Sequence, residues 1–177
     1  SGSSGGMLKE ILITILVVLI ISFLLKTFLF RLFYIPSGSM ENTLQLQDKI
    51  GVNVAEPWAG PLERGDIAVF RFPPNPSIDY IKRVVGLPGD RIEVKNGLLY
   101  INDEPIKRER LSDFVGEDPC GSADATARVK RWKETLPNGV SYETLDCTDN
   151  SYMDNTIVYT VPPGHFFMMG DNRDNST

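Results

Sequence analysis

The chain has 177 residues, 18 basic against 23 acidic for a net charge of −5, which suits one domain or one core with a sizeable insertion. That balance argues against a nucleic-acid surface, which needs a basic patch to neutralise phosphates. A single histidine removes most histidine-based catalysis, and two cysteines with one histidine cannot supply a zinc site of the usual spacing, so neither a metal nor another cofactor is expected.

Residues 1–6, Ser-Gly-Ser-Ser-Gly-Gly, read as an added tag and are set apart from the fold. From Ile11 to Leu25 the chain is apolar except for Thr14 and Ser22, and beyond Lys26 the run resumes as far as Phe30. A spanning helix needs about 20 residues, which Ile11–Phe30 reaches if Lys26 snorkels to the headgroups. The competing reading is a cleaved signal peptide, whose apolar region runs about 7–15 residues and ends at a small-x-small site. No alanine precedes Ala55, and the first small-x-small after the run is Ser37-Gly38-Ser39, which favours an uncleaved anchor. Lys9 precedes the segment while Lys26 and Arg31 follow it, so charge counting leaves its orientation open.

Strand signals follow. Lys49–Val54 alternates, and Asp66–Phe72 is a compact buried-strand run. Pro73-Pro74-Asn75-Pro76 breaks it, and Tyr80–Val85 forms the next strand, ended by Gly86-Leu87-Pro88-Gly89-Asp90. Arg91–Val94 and Leu98–Ile101 flank Lys95-Asn96-Gly97, where Asn-Gly supplies the positive φ angles of a tight hairpin. From about Lys107 to Asn155 the chain turns charged, irregular and turn-rich, and both cysteines lie there. Cys120 and Cys147 pair as a disulfide if the domain is extracytoplasmic; two unpaired buried thiols are the alternative. Thr156–Val161 restores strand character before the Pro162-Pro163-Gly164 turn.

The chemistry-bearing residues come in two segments. Pro36-Ser37-Gly38-Ser39-Met40 sits just past the apolar stretch, and Lys82 comes 43 residues after Ser39 on an apolar strand. A serine hydroxyl is a poor nucleophile until something takes its proton. Lysine can do so where apolar surroundings disfavour its ammonium form. On a strand of period two, Lys82 shares a face with Tyr80 and Val84 while Arg83 points to the other. By itself such a lysine is more often a snorkelling edge residue, and the serine turn alone could be a simple exit from the membrane. His165, in a proline-flanked turn, reads as a packed or turn-stabilising residue.

Together the segments resemble the bacterial type I signal peptidase (leader peptidase) family of serine–lysine peptidases. The resemblance lies in Ile35–Met40 with Thr43-Leu44, in Arg64–Phe70, in Asp79–Asp90 and in Gly170–Ser176, in family order after an anchor. It implies Ser39 as nucleophile, Lys82 as general base, the Ser37 hydroxyl and Ser39 N–H as the oxyanion hole, and Ser176 orienting the Lys82 amine. It places Phe33, Ile35, Met40, Leu44, Tyr80 and Ile81 where the family builds shallow apolar pockets for small residues at −1 and −3. Asp171, Asn172 and Arg173 take a structural role, holding the last motif against the catalytic strand.

The implied fold is mostly β, a twisted antiparallel β-sheet core of signal-peptidase type with an inserted irregular subdomain and one N-terminal transmembrane helix. The expected division is residues 1–6 as tag, 7–31 as transmembrane anchor, 32–106 and 156–177 as catalytic β core, and 107–155 as inserted subdomain. Past Ser176 the family continues through an aspartate and an arginine, whereas this chain stops at Thr177, so the core is expected to be cut short at its C-terminal end. The implied activity is removal of signal peptides from exported preproteins at a bacterial inner (plasma) membrane. The protein would be single-pass with its catalytic domain extracytoplasmic, its partners preproteins and the lipid bilayer, with no nucleic acid and no metal. Two rivals remain: another Ser–Lys peptidase of repressor or conjugation type, and a non-enzymatic anchored β domain. A repressor-type relative carries a DNA-binding domain where this chain has an anchor, and a non-enzymatic domain predicts no reaction with active-site acylating reagents.

Overall fold

The computed structural model describes residues 4–28, 30–35, 37–45, 47–53, 60–116, 119–121 and 128–176. Residues 1–3 of the tag, Pro36, Val54 and Thr177 lie outside them. The chain divides into two compact units, residues 1–34 with 49–61, and residues 35–48 with 62–177.

The first unit begins with helix α1 (Ser4–Phe28), which starts within the tag. Its 25 residues span about 37 Å at 1.5 Å per residue, and its side chains from Gly5 to Leu25 are all exposed. The stretch from Ile11 to Leu25, apolar except for Thr14 and Ser22 and exposed all round, is what a lipid-spanning helix presents. Thr14 satisfies its hydroxyl within the helix by donating to the Glu10 carbonyl at 2.9 Å. Strands β1 (Phe30–Tyr34) and β2 (Lys49–Asn53) pair antiparallel, Phe30 opposite Asn53 and Tyr34 opposite Lys49.

The second unit is built of three small antiparallel sheets. Strand β3 (Ile67–Phe72) turns through Pro73-Pro74 directly into β4 (Asn75–Gly86), so the prolines make the turn and the strand starts five residues ahead of Tyr80. The outer half of β4 is exposed, whereas Ile81–Gly86 is buried because its end also pairs with β13 (Phe167–Met169). Strands β5 (Arg91–Lys95) and β6 (Leu98–Ile101) form a hairpin whose turn residues Asn96 and Gly97 have φ of 49° and 72°, the positive pair a two-residue turn demands. β7 (Glu104–Pro105) extends that sheet on one side. On the other side, Thr156–Val161 contributes only the short β12 (Tyr159–Thr160).

Residues 107–155 are less irregular than their composition implies. β8 (Lys107–Arg110), β9 (Phe114–Val115), β10 (Arg128–Thr135) and β11 (Ser141–Asp146) form one four-stranded sheet centred on β10. Their charges hide the strand pattern because several are neutralised inside the fold rather than turned to water. Glu134 is fully buried, accepts from the Tyr142 hydroxyl at 3.1 Å and from Arg173, and lies 3.6 Å from Arg108. Leu136 and Tyr142 from this region join Val85, Ile92, Leu99 and Val161 in the hydrophobic core.

Candidate active site

Ser39 sits on a single 3-10 turn, Gly38–Met40, continued by backbone bonds from Glu41 N–H to the Gly38 carbonyl (3.0 Å) and from Leu44 N–H to the Met40 carbonyl (2.8 Å). Met40 is fully buried and anchors the turn, leaving Ser39 only 6% exposed. The Ser37 and Ser39 hydroxyl oxygens are 3.3 Å apart, so both hydroxyls face one point.

Lys82 lies in the buried half of β4 and is 6% exposed. Its Nζ donates to Ser176 Oγ at 2.5 Å and lies 5.6 Å from the Tyr80 ring centre. Among the described residues no carboxylate pairs with it. Burial therefore acts without a counter-charge and pulls its pKa below the ordinary lysine range. Lys82 shares with Ser37, Ser39, Tyr80, Ile81 and Asn175 the lining of a cavity of about 370 Å³. Lys82 and Ser176 also line a second, mostly apolar cavity of about 320 Å³ between β5 and β13.

The neighbouring Arg83 points the other way. Its guanidinium makes a bidentate pair with Asp171 (2.9 and 2.7 Å), donates to the Gly65 carbonyl at 2.7 Å and stacks 4.3 Å from the centre of the Tyr142 ring. Thr43 Oγ donates to the same carboxylate. Asp171 thus ties the chain after Ser39 to the strand that carries Lys82. Asn172, also fully buried, donates its backbone N–H to the Ser39 carbonyl and its side-chain amide to the Gly38 carbonyl, each at 3.0 Å. Gly170 lies so close that a Cβ there would be 2.2 Å from Ser176 Oγ and 2.6 Å from the Ser39 carbonyl oxygen.

Of the pocket residues, Tyr80 and Ile81 line the Ser39 cavity. Ile35 and Met40 are buried beneath the turn and Leu44 is half-buried after it, while Phe33 lies on β1 in the other unit. Cys120 and Cys147 are joined as a disulfide. His165 is exposed, with Nδ1 2.9 Å from the Pro163 carbonyl, a turn contact away from the cavity. Sequence reasoning missed three contributors. Gly170 offers only its place in the last motif, Asn175 likewise, and Glu134 lies in a charged stretch with no local signal. Among the described residues no cluster of His, Cys, Asp and Glu could hold a metal ion.

The comparisons with known proteins give the family. Residues 8–177 match the family described as signal peptidase, peptidase S26. Signal peptidase I of Rickettsia typhi is 34% identical over 185 residues, which is 90% of this chain and 67% of the relative. The protein of the same name from Rickettsia prowazekii matches to the same extent. Signal peptidase I of Pseudomonas aeruginosa is 40% identical over 173 residues, 90% of this chain and 57% of the relative. A membrane-length apolar helix, a mostly β antiparallel fold and a near-full-length family match converge, and the chain belongs to the signal peptidase family of serine peptidases.

Proposed function

We propose that this chain is a membrane-anchored endopeptidase that removes signal peptides from exported preproteins after small residues at −1 and −3, using Ser39 and Lys82. The observation that carries the proposal is the environment of Lys82. It is a buried amine without a carboxylate partner among the described residues, bonded to the Ser176 hydroxyl and lining the same cavity as the Ser39 turn. Burial disfavours its ammonium form and lowers its pKa from the ordinary lysine range, the direction a general base requires.

In the proposed reaction Ser39 Oγ attacks the scissile carbonyl carbon while the neutral Lys82 amine takes its proton. The Ser37 hydroxyl and the Ser39 N–H hold the oxyanion of the tetrahedral intermediate. The Lys82 ammonium then protonates the departing amine as the C–N bond breaks, leaving an ester on Ser39. A water molecule, deprotonated by Lys82, hydrolyses that ester and restores the free hydroxyl. Ser176 acts by aiming the amine. Ile81, Tyr80 and the buried Ile35 and Met40 supply the apolar wall that small side chains fit. Helix α1 spans a bacterial plasma membrane with the catalytic unit on the extracytoplasmic face, the compartment in which a disulfide persists.

The test is cleavage of a peptide bearing Ala-x-Ala before the scissile bond, compared across wild type, Ser39→Ala and Lys82→Met. Cleavage after the second alanine, lost in both variants, is the expected result. Wild-type rates in Ser39→Ala overturn the assignment.

A further inference from the structure

We propose that the Cys120–Cys147 disulfide is a strut of the catalytic centre, positioning Ser39 and Ser176 through the Pro119 carbonyl and residues 145–148, so that opening it lowers turnover and spares substrate binding. Both ends of the bridge grip the segment 171–176, as follows from the hydrogen bonds around it.

At the first end, the Pro119 carbonyl, one residue before Cys120, accepts the Asn172 side-chain amide at 2.6 Å and the Asn175 amide at 3.0 Å. Asn172 uses its remaining donors on the nucleophile turn, to the Gly38 and Ser39 carbonyls. A single fully buried side chain therefore links the disulfide corner to the residue before Ser39. At the second end, Asp174 accepts the backbone N–H groups of Cys147 and Thr148, both at 2.8 Å. Leu145 donates to the Asp171 carbonyl and accepts from Arg173 N–H, at 2.9 and 3.0 Å. Ser176, at the end of this clamped segment, holds the Lys82 amine.

The bridge is what makes the first end stiff. β11 carries residues 141–146 and so fixes the Cys147 side, but Pro119–Gly121 belong to no strand. The covalent link to Cys147 therefore tethers the Pro119 carbonyl to the end of β11. Reduction by a dithiol breaks the S–S bond, adds two electrons and two protons to give two thiols, and leaves the reductant as its own cyclic disulfide. The Pro119 turn is then free to leave Asn172 and Asn175, each of which loses a buried or cavity-edge acceptor. Displacements of about 1 Å at reacting groups cost on the order of 10²-fold in rate. Ile35, Met40 and Ile81 make none of the hydrogen bonds to Pro119, Asn172 or Asn175 and are held by their own burial, so binding is preserved.

Given the Ser39–Lys82 chemistry proposed above, the experiment uses the full chain in detergent micelles, oxidised and after dithiothreitol, with the Ala-x-Ala peptide and near-ultraviolet circular dichroism at the assay temperature. Ser39→Ala serves as the control for that chemistry: if oxidised wild type does not cleave, or Ser39→Ala does, the peptidase reading fails independently of the strut. With that reading in place, a fall in kcat of about tenfold to a hundredfold on reduction, with KM within about twofold and the dichroism retained, is expected. An unchanged kcat in fully reduced, folded protein overturns the strut. If reduction unfolds the chain, Asn175→Ala decides with the bridge closed, because it removes one donor to Pro119 from an exposed position. A drop in kcat at constant KM supports the strut, and wild-type kinetics reject it.

Discussion

Replacing Asp171 with asparagine isolates the charge that holds β4, the strand of Lys82, to the last motif. The pair it breaks is buried, with side-chain exposures of 8% for Arg83 and 1% for Asp171. Asparagine keeps the shape, so no cavity forms, but Arg83 cannot lose its proton and is left as a buried cation. Stripping one partner from a buried ion pair costs about 3–5 kcal/mol, because the desolvation of the other is no longer offset. The unit that holds the pair has roughly 130 residues, and at about 2.1 cal/mol/K per residue each kcal/mol lowers Tm by close to 4 °C. A loss of about 10–20 °C follows, read as the near-ultraviolet dichroism melt of the full chain in micelles. The double variant Arg83→Met/Asp171→Leu removes both charges and should regain most of that loss, since well-packed apolar substitutes for a buried pair are often neutral or stabilising. A single variant melting within about 3 °C of the parent would refute the argument, as would a double variant no better than the single.

Burial depresses the Lys82 pKa, so cleavage should rise with pH through a transition below the ~10.4 of free lysine, unmoved in His165→Ala and with Lys82→Arg inactive; a transition that survives Lys82→Met and vanishes with His165→Ala would sink the assignment. The same depression means the unfolded chain binds more protons than the folded one between the lowered pKa and ~10.4, so stability rises with pH across that window. Denaturant melts of Lys82→Met should lack that rise. Ser37→Ala should slow kcat by about 10²–10³-fold, because the hole keeps the Ser39 N–H, while Ser39→Ala abolishes it; equal losses in the two would remove Ser37 from the hole. Gly170→Ala must push Ser176 and the Ser39 carbonyl aside, and should cost on the order of 10²-fold in kcat with unchanged far-ultraviolet dichroism.

The parts of this molecule legible in its sequence are those governed by local rules. The Asn96-Gly97 turn announced its hairpin because few other residues accept its φ angles. The anchor was readable from length and polarity, and the face of Lys82 from the two-residue period of β4. β10 and β11 were not, because Arg-Val-Lys-Arg-Trp-Lys-Glu-Thr looks solvated when its burial depends on Arg108 and Arg173, distant in sequence from Glu134. The service of Gly170 was equally hidden. Its missing side chain matters only because Ser39 and Ser176, 137 residues apart in the chain, converge on it.

That convergence has a consequence for timing. The Ser39 turn is made early, yet Asn172 must reach back across 134 residues to bond Gly38, and Ser176 across 94 to bond Lys82. Contacts this far apart form late, both in folding and during vectorial synthesis. A nascent chain therefore carries Ser39 and Lys82 without the contacts of the last motif until residues 170–176 have been added. The Ser39 turn and Lys82 come under the hold of Asn172 and Ser176 only after that segment has been made, which delays the assembly of the proposed pair relative to its synthesis.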